Sequence, residues 1–292
     1  MNITVIANPN ASMIKDTSSF EEEIFSIFNE HTVNVQWTEK QEDAVKFAAE
    51  SVKNGVDILI AVAGDGTVRE LMPVLLGTNV KLGIIPAGTG NMIASNLDIP
   101  WDFSKACQLV LNGKTKRIDI GQINDKYFGF IAGCGVDAKI MMETTREKKD
   151  KLGVWAYFIE AFKHSLKVAP YLVKIRIDDK KIIRTKAVTV MAVNTGKVFG
   201  DLFTIAPNAK VDDGKLHLVI ISPKNILDYL LVFFEFMFQK PLNRNFRIRH
   251  IKAKKAELTT NPSVLMQSDG DIIGKTPAVL KIIPSAIEVF IP

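Results

Sequence analysis

The run Ile58-Leu59-Ile60-Ala61-Val62-Ala63 stops at Gly64-Asp65-Gly66-Thr67 and resumes as Val68-Arg69-Glu70-Leu71-Met72, with apolar residues at helical spacing. Six apolar residues in a row before a glycine-rich break fit a strand buried on both faces, as in a parallel sheet. Asp-Gly often marks a tight hairpin, but a hairpin needs a second strand next, and a helical pattern follows instead. A buried strand that passes through a glycine loop into a helix restricts this part of the chain to an α/β architecture.

The same alternation recurs on either side. The spacing predicts strands over Ile3–Ala7, Thr32–Trp37, Asp57–Ala63 and Lys81–Pro86. It predicts helices over Phe20–Phe28, Gln41–Asn54, Val68–Leu76 and from Asn91 onward. Residues 1–121 should therefore form a doubly wound, mostly parallel sheet that binds ligands beyond the carboxyl ends of its strands. After Gly121 short alternating strands take over: Val173–Ile177, Ile182–Ala192, Leu216–Ile221, Phe246–Ala253 and Glu257–Thr259. Helical patterns over Val154–Val168 and Lys224–Gln239 interrupt them. The expectation is a mainly antiparallel β-sandwich domain over 122–280, an active-site cleft between the domains, and a segment 281–292 that returns to the first.

The 292 residues are 47% hydrophobic and 24% charged, enough for two packed domains. A net charge of +5 suits an anionic ligand or surface without requiring nucleic acid. Two cysteines, Cys107 and Cys134, are too few for a disulfide framework and point to a reducing cytosol; neither carries a nucleophile signature. The first residues lack a basic leader and read as a strand. The most apolar stretch, Ile226–Phe238, contains Asp228 and Glu235 and falls short of the ~20 residues of a membrane span. A soluble, cytoplasmic protein is expected. His31, His164, His217 and His250 stand apart with no metal spacing.

Three loops follow strands of the first domain: Asn8-Pro9-Asn10-Ala11-Ser12, Gly64-Asp65-Gly66-Thr67 and Pro86-Ala87-Gly88-Thr89-Gly90-Asn91. Glycine lets backbone N–H groups approach a phosphate closely, and helix N-termini favour anions. One such terminus contributes only ~0.3–1 kcal/mol at the surface, so converging loops carry more weight than one. Thr67 and Thr89 can add hydroxyl donors, and Asp65 can hold a divalent ion that bridges phosphates. No Gly-Lys-Ser/Thr of a Walker loop occurs, and the third glycine of a dinucleotide fingerprint is missing.

These loops resemble the signatures of the diacylglycerol kinase catalytic domain family, in particular its bacterial soluble lipid kinases, related to sphingosine kinases and NAD kinases. Asn8-Pro9-Asn10-Ala11-Ser12 is similar to the opening Asn-Pro-x-Ser/Ala-Gly loop. Ala63-Gly64-Asp65-Gly66-Thr67-Val68-Arg69-Glu70 is similar to Gly-Gly-Asp-Gly-Thr-x-x-Glu, and Pro86–Asn91 to Pro-x-Gly-Thr-Gly-Asn. Ala132-Gly133-Cys134-Gly135-Val136-Asp137-Ala138 and Asp269-Gly270-Asp271 extend the resemblance nearly end to end. Two positions depart from it: Ala63 replaces a glycine and is expected still to lie in the strand, and Met92 replaces an aspartate of the acidic network around the metal.

The resemblance implies an ATP- and Mg2+-dependent lipid kinase. The implied nucleotide contacts are Asn8, Pro9, Asn10, Thr38, Gly64, Asp65, Gly66, Thr67, Glu70, Gly88, Thr89, Gly90 and Asn91. Asp65 is the best ligand for the catalytic metal, Asp137 in its glycine-rich turn is either a further metal acid or one that acts behind the ligands, and Asp271 is the implied general base. As residues alone, Ser268-Asp269-Gly270-Asp271 reads equally as a solvated turn. Lys210-Val211-Asp212-Asp213-Gly214-Lys215 is similar to a stretch holding a structural Mg2+ through the Asp213 carboxylate and the carbonyls of Lys210 and Lys215; a hairpin turn is the plainer reading. The implied partner is a lipid at the membrane surface, met by transient peripheral contact at the membrane's inner face, and a homodimer is compatible. Leu230, Phe233, Phe234 and Phe238, with the basic run Arg244–Lys255, are the candidate contacts. Two rivals stand beside this reading: a kinase of a soluble acceptor such as NAD, and a nucleotide-regulated lipid-binding protein.

Overall fold

The structure, a computed structural model, describes residues 1–11, 13–40, 42–135, 169–198, 203–238 and 247–292. Expectations that fall on Ser12, Asp137, the helix Val154–Val168 and residues 244–246 lie outside the described residues. The chain divides into two compact units, Met1–Ile120 with Pro284–Pro292, and Gly121–Ile283.

The first unit runs β1 (Asn2–Ala7), α1 (Thr17–Ile27), β2 (Thr32–Trp37), α2 (Asp43–Lys53), β3 (Ile58–Ala63), α3 (Asp65–Leu75), β4 (Lys81–Pro86), α4 (Met92–Asn96) and α5 (Phe103–Asn112), then enters β5 (Lys114–Ile123). Its strands lie in the order β2-β1-β3-β4, all parallel, and Glu288 and Val289 of the last strand extend the sheet beside β4. All six residues of β3 are buried, because helices cover both faces. On one face Phe20, Ile24 and Phe28 meet Ala106, Cys107 and Val110 of α5 over Ile3, Val5, Ile58, Ile60 and Val62. Helices α2 and α3 pack on each other and on β1 and β3, completing the doubly wound arrangement. Ala63 is the last residue of β3, 2% exposed.

The second unit contains β6 (Lys126–Phe128), β7 (Ile131–Gly135), β8 (Tyr171–Ile177), β9 (Lys181–Ala187), β10 (Thr189–Val193), β11 (Lys197–Val198), β12 (Phe203–Thr204), β13 (Leu216–Ile221), α6 (Ile226–Phe238), β14 (Ile248–Ala253), β15 (Lys255–Asn261), β16 (Leu265–Ser268), β17 (Asp271–Lys275) and the start of β18 (Ala278–Ile291). One antiparallel sheet has the order β14-β13-β10-β7-β16-β17; the other joins β18, β15, β8 and β9. Val173, Ile175, Leu258 and Leu280 from the second sheet share one core with Val190, Leu216, Leu218 and Met266 from the first, so this unit is a sandwich. The single strand expected over Ile182–Ala192 is two. The chain leaves the edge strand β9, whose residues are mostly exposed, and at Val188 crosses into β10, which is buried throughout between β7 and β13. Among the described residues no helix is long and apolar enough to cross a membrane.

Candidate functional site

The carboxyl ends of β2, β1, β3 and β4 are stitched together past the last strand residues. Thr38 donates its N–H to the Ala7 carbonyl at 2.9 Å, Asn8 N–H reaches Val62 O at 3.3 Å, and Ala87 N–H reaches Ala63 O at 3.0 Å. Three loops and Thr38 therefore sit side by side at one edge of the sheet, on strands spaced ~4.8 Å apart. In the first loop the Asn8 side-chain oxygen accepts the Asn10 N–H at 2.9 Å, a local turn that leaves Pro9 half-buried and Asn10 exposed.

The β3 and β4 loops touch backbone to backbone. A Cβ on Gly88 would stand 2.6 Å from the Gly64 Cα, and one on Gly64 would stand 3.2 Å from the Gly88 Cα. Neither position has room for a side chain. Asn91 secures the contact: it is 3% exposed, in the left-handed region at φ 46°, and its side-chain amide exchanges two hydrogen bonds with the Gly88 backbone, at 2.9 and 2.8 Å. Asn91 thus shapes the loop, a role that its place in the motif alone does not reveal. Thr89 and Gly66 at the loop tips are exposed, while Thr67, Glu70 and Gly90 are half-buried. A Cβ on Gly66 would meet nothing within 4 Å.

Asp65 opens α3 and ties the two loops together. Its carboxylate oxygens accept the Met92 N–H at 2.9 Å and the Ile93 N–H at 3.0 Å, capping α4. One oxygen also lies 3.2 Å from where a Cβ on Gly90 would sit. Met92 carries no carboxylate, yet its backbone N–H still holds Asp65. Among the described residues no three His, Cys, Asp or Glu side chains form a metal-binding group. Mg2+ in a nucleotide site is commonly bound by one or two carboxylates together with phosphates and water. Asp65 can serve as such a carboxylate while its other lone pairs hold the α4 amides.

In the second unit the Asp269-Gly270 dipeptide turns β16 into β17 with φ of 43° and 96°, the two positive values of a type I′ hairpin. Ser268 and Asp271 face each other across that turn, and Asp271 is exposed. The Asp269 carboxylate accepts three backbone N–H groups, from Gly129 (2.7 Å), Phe130 (3.1 Å) and Ile131 (2.8 Å). Gln267, 1% exposed, accepts the Gly270 N–H. Sequence reasoning singled out Asp271 and overlooked Asp269 as its anchor. An Asp269→Ala chain should lose roughly 3 kcal/mol in urea unfolding, since three partly buried donors lose their acceptor and alanine resists φ > 0. Asp269→Asn, which tolerates that backbone and keeps one acceptor, should lose less. Equal stability of all three chains would remove the anchoring role.

Asp213 makes two contacts within its own segment: Oδ1 accepts the Lys215 N–H at 3.0 Å, and Oδ2 lies 2.8 Å from His217 Nε2. The Lys210 carbonyl accepts the Asp213 N–H at 3.4 Å. Both oxygens of the Asp213 carboxylate, one of the ligands implied for a structural Mg2+, thus carry internal hydrogen bonds in this structure. Both cysteines are buried, and burial, with Glu23 and Asp102 nearby, pushes the Cys107 thiol up to about 12, which suits packing rather than attack.

On α6, Leu227, Leu230 and Phe234 are 58%, 37% and 43% exposed, at the i, i+3, i+7 spacing of one helix face. The side chains of Phe233 and Phe238 are outside the described ones. Asp228, 7% exposed, pairs with Arg247, and this guanidinium, aided by the backbone N–H groups of Lys224 and Asn225, holds its carboxyl below the usual range. The pair fastens the first turn of α6 to the entrance of β14, which carries the exposed Arg249 and Lys252.

Comparison with known proteins agrees with this layout. Residues 2–123 match the diacylglycerol kinase catalytic domain, and residues 131–291 match the YegS C-terminal NAD kinase beta sandwich-like domain. A diacylglycerol kinase of Staphylococcus saprophyticus is 30% identical over 259 residues, covering 87% of this chain and 83% of that protein. An uncharacterized protein of Synechocystis is 30% identical over 289 residues; the match takes in 96% of this chain and 66% of that longer protein. A crystal structure from Bacillus anthracis, described as a candidate diacylglycerol kinase, superimposes with a TM-score of 0.83 at 25% identity, covering 100% of this chain and 95% of that one. The chain therefore belongs to the diacylglycerol kinase catalytic domain family and is, by that membership, a kinase.

Proposed function

We propose that this chain transfers the γ-phosphoryl group of ATP to the hydroxyl of a diacylglycerol-like lipid. The observation that carries the reading is the Gly64–Gly88 contact at the carboxyl ends of two parallel strands, held by Asp65 and Asn91. Such loops direct backbone N–H groups at phosphate oxygens. Thr67 and Thr89 add hydroxyl donors, and Asn8, Pro9, Asn10, Thr38 and Glu70 border the nucleotide. Asp65 would hold Mg2+, which would supply positive charge to offset that of the transferring phosphoryl group. Asp271 takes the proton of the acceptor hydroxyl as its oxygen bonds to the γ-phosphorus; the bond to the β–γ bridging oxygen breaks, and ADP leaves.

The lipid is reached at the membrane surface. Leu227, Leu230 and Phe234 supply an apolar face, and the exposed Arg249 and Lys252, on opposite faces of β14, supply positive charge that attracts anionic headgroups. Arg247 is left out of this patch because it is bound to Asp228. Each cation near an acidic surface contributes ~1 kcal/mol. Reversing both, with Arg249→Glu and Lys252→Glu, should therefore weaken sedimentation with anionic vesicles by at least about tenfold. Salt should weaken the unaltered chain in the same assay, since the Debye length is ~10 Å at 0.1 M. Binding that ignores both salt and charge reversal would discard the patch.

The test of the activity is to incubate the full chain with γ-labelled ATP and a total lipid extract and to identify the labelled product. A second reading, a soluble acceptor, draws on the likeness of residues 131–291 to the NAD kinase sandwich. Labelled NADP and unlabelled lipid would favour it.

A further inference from the structure

The segment Lys210–Lys215 carries Gly214 at φ 67°, a turn that glycine adopts freely, and it delivers the chain into β13. That strand reads Leu216-His217-Leu218-Val219-Ile220-Ile221 and is buried from end to end. His217 is the one polar side chain in it, 5% exposed, and such a group needs a hydrogen-bonding partner. Asp213 is that partner: Nε2 to Oδ2 is 2.8 Å, with the two side chains 7% and 18% exposed. The other carboxylate oxygen turns back to the Lys215 N–H, and the Lys210 carbonyl faces the Asp213 N–H.

We infer that His217 occupies the position of the structural cation, so that this segment is closed by an internal Asp213–His217 clasp and needs no metal. Mg2+ demands near-octahedral ligands at about 2.0–2.1 Å and keeps several waters. An imidazole nitrogen at 2.8 Å from Oδ2 competes with an ion and its waters for that oxygen. An ion taking Oδ2 would have to displace the hydrogen bond of a buried imidazole. The clasp does with one side chain what a metal does elsewhere: it fixes the entry of β13, which pairs with both β10 and β14. Any Mg2+ requirement of the protein then belongs to the nucleotide loops alone. The inference concerns the fold of this segment and stands whether or not the lipid kinase reading holds.

The experiment is thermal unfolding of the nucleotide-free full chain, stripped with EDTA and then titrated with Mg2+ against an ionic-strength control. The unaltered chain should show no Mg2+-specific shift in Tm. His217→Gln and Asp213→Asn should each lower Tm by about 3–8 °C, and the double variant should fall little further than either. His217→Asp, which replaces the ring by a second carboxylate, should acquire a rise in Tm with Mg2+. If His217→Gln fails to fold, the titrations of the unaltered chain and of Asp213→Asn still decide. A Mg2+-dependent rise that disappears in Asp213→Asn overturns the clasp. His217→Gln with unchanged Tm also overturns it.

Discussion

Asp271→Asn should lower kcat by about 10²–10⁴-fold while leaving ATP affinity unchanged, the range a positioned base contributes. The substitution preserves shape and removes only the capacity to accept a proton. Its backbone position is well determined: Asp269 and Gly270 form the tight turn just before it, and three amides hold the Asp269 carboxylate. Asp271 itself is exposed at the start of β17 and is not among the residues proposed to border the nucleotide, so ATP affinity should hold. Single-turnover phosphoryl transfer and ATP titration on the same preparation check both halves. A loss below threefold would strip Asp271 of the base role.

Gly66→Val and Gly88→Ala should fail in different ways. A Cβ at Gly66 meets nothing within 4 Å beyond its chain neighbours and its own helix backbone, so the fold should keep its Tm while phosphate can no longer approach the start of α3. ATP should give Gly66→Val no thermal protection. At Gly88 even a methyl group meets the Gly64 Cα at 2.6 Å and the Asn91 side chain at 3.0 Å, both atoms of the loop framework. Gly88→Ala should therefore cost about 1–3 kcal/mol without any ligand, the range for overpacked sites, as well as weakening ATP. Differential scanning calorimetry with and without ATP separates the two. Full ATP protection of Gly66→Val would detach the nucleotide from these loops.

Much of the first unit was legible in the residues, because a strand buried on both faces needs an unbroken apolar run and β3 has one. Strands Thr32–Trp37, Lys81–Pro86 and Leu216–Ile221 end where the spacing places them. Helix α5 was passed over although its signal is present: Asp102 caps it through the Lys105 N–H, and Phe103, Ala106, Cys107 and Val110 keep helical spacing. The passage from β9 to β10 was hidden because both strands are β-formers with no glycine or proline between them; only pairing partners separate them. At the site, motifs reveal residue types and not who holds whom. That Asn91 grips Gly88, that Asp65 caps α4, and that His217 hydrogen-bonds Asp213 all depend on contacts between segments or on burial.

Incubating the full chain with γ-labelled ATP, Mg2+ and vesicles of diacylglycerol in anionic phospholipid, with NAD as a competing acceptor, measures the transfer itself. The expected result is label in the lipid phosphate product, none in NADP, and loss of that product in both Asp271→Asn and Gly66→Val. Bound but unconsumed ATP, or label appearing only in NADP, would contradict the assignment of this chain as a lipid kinase.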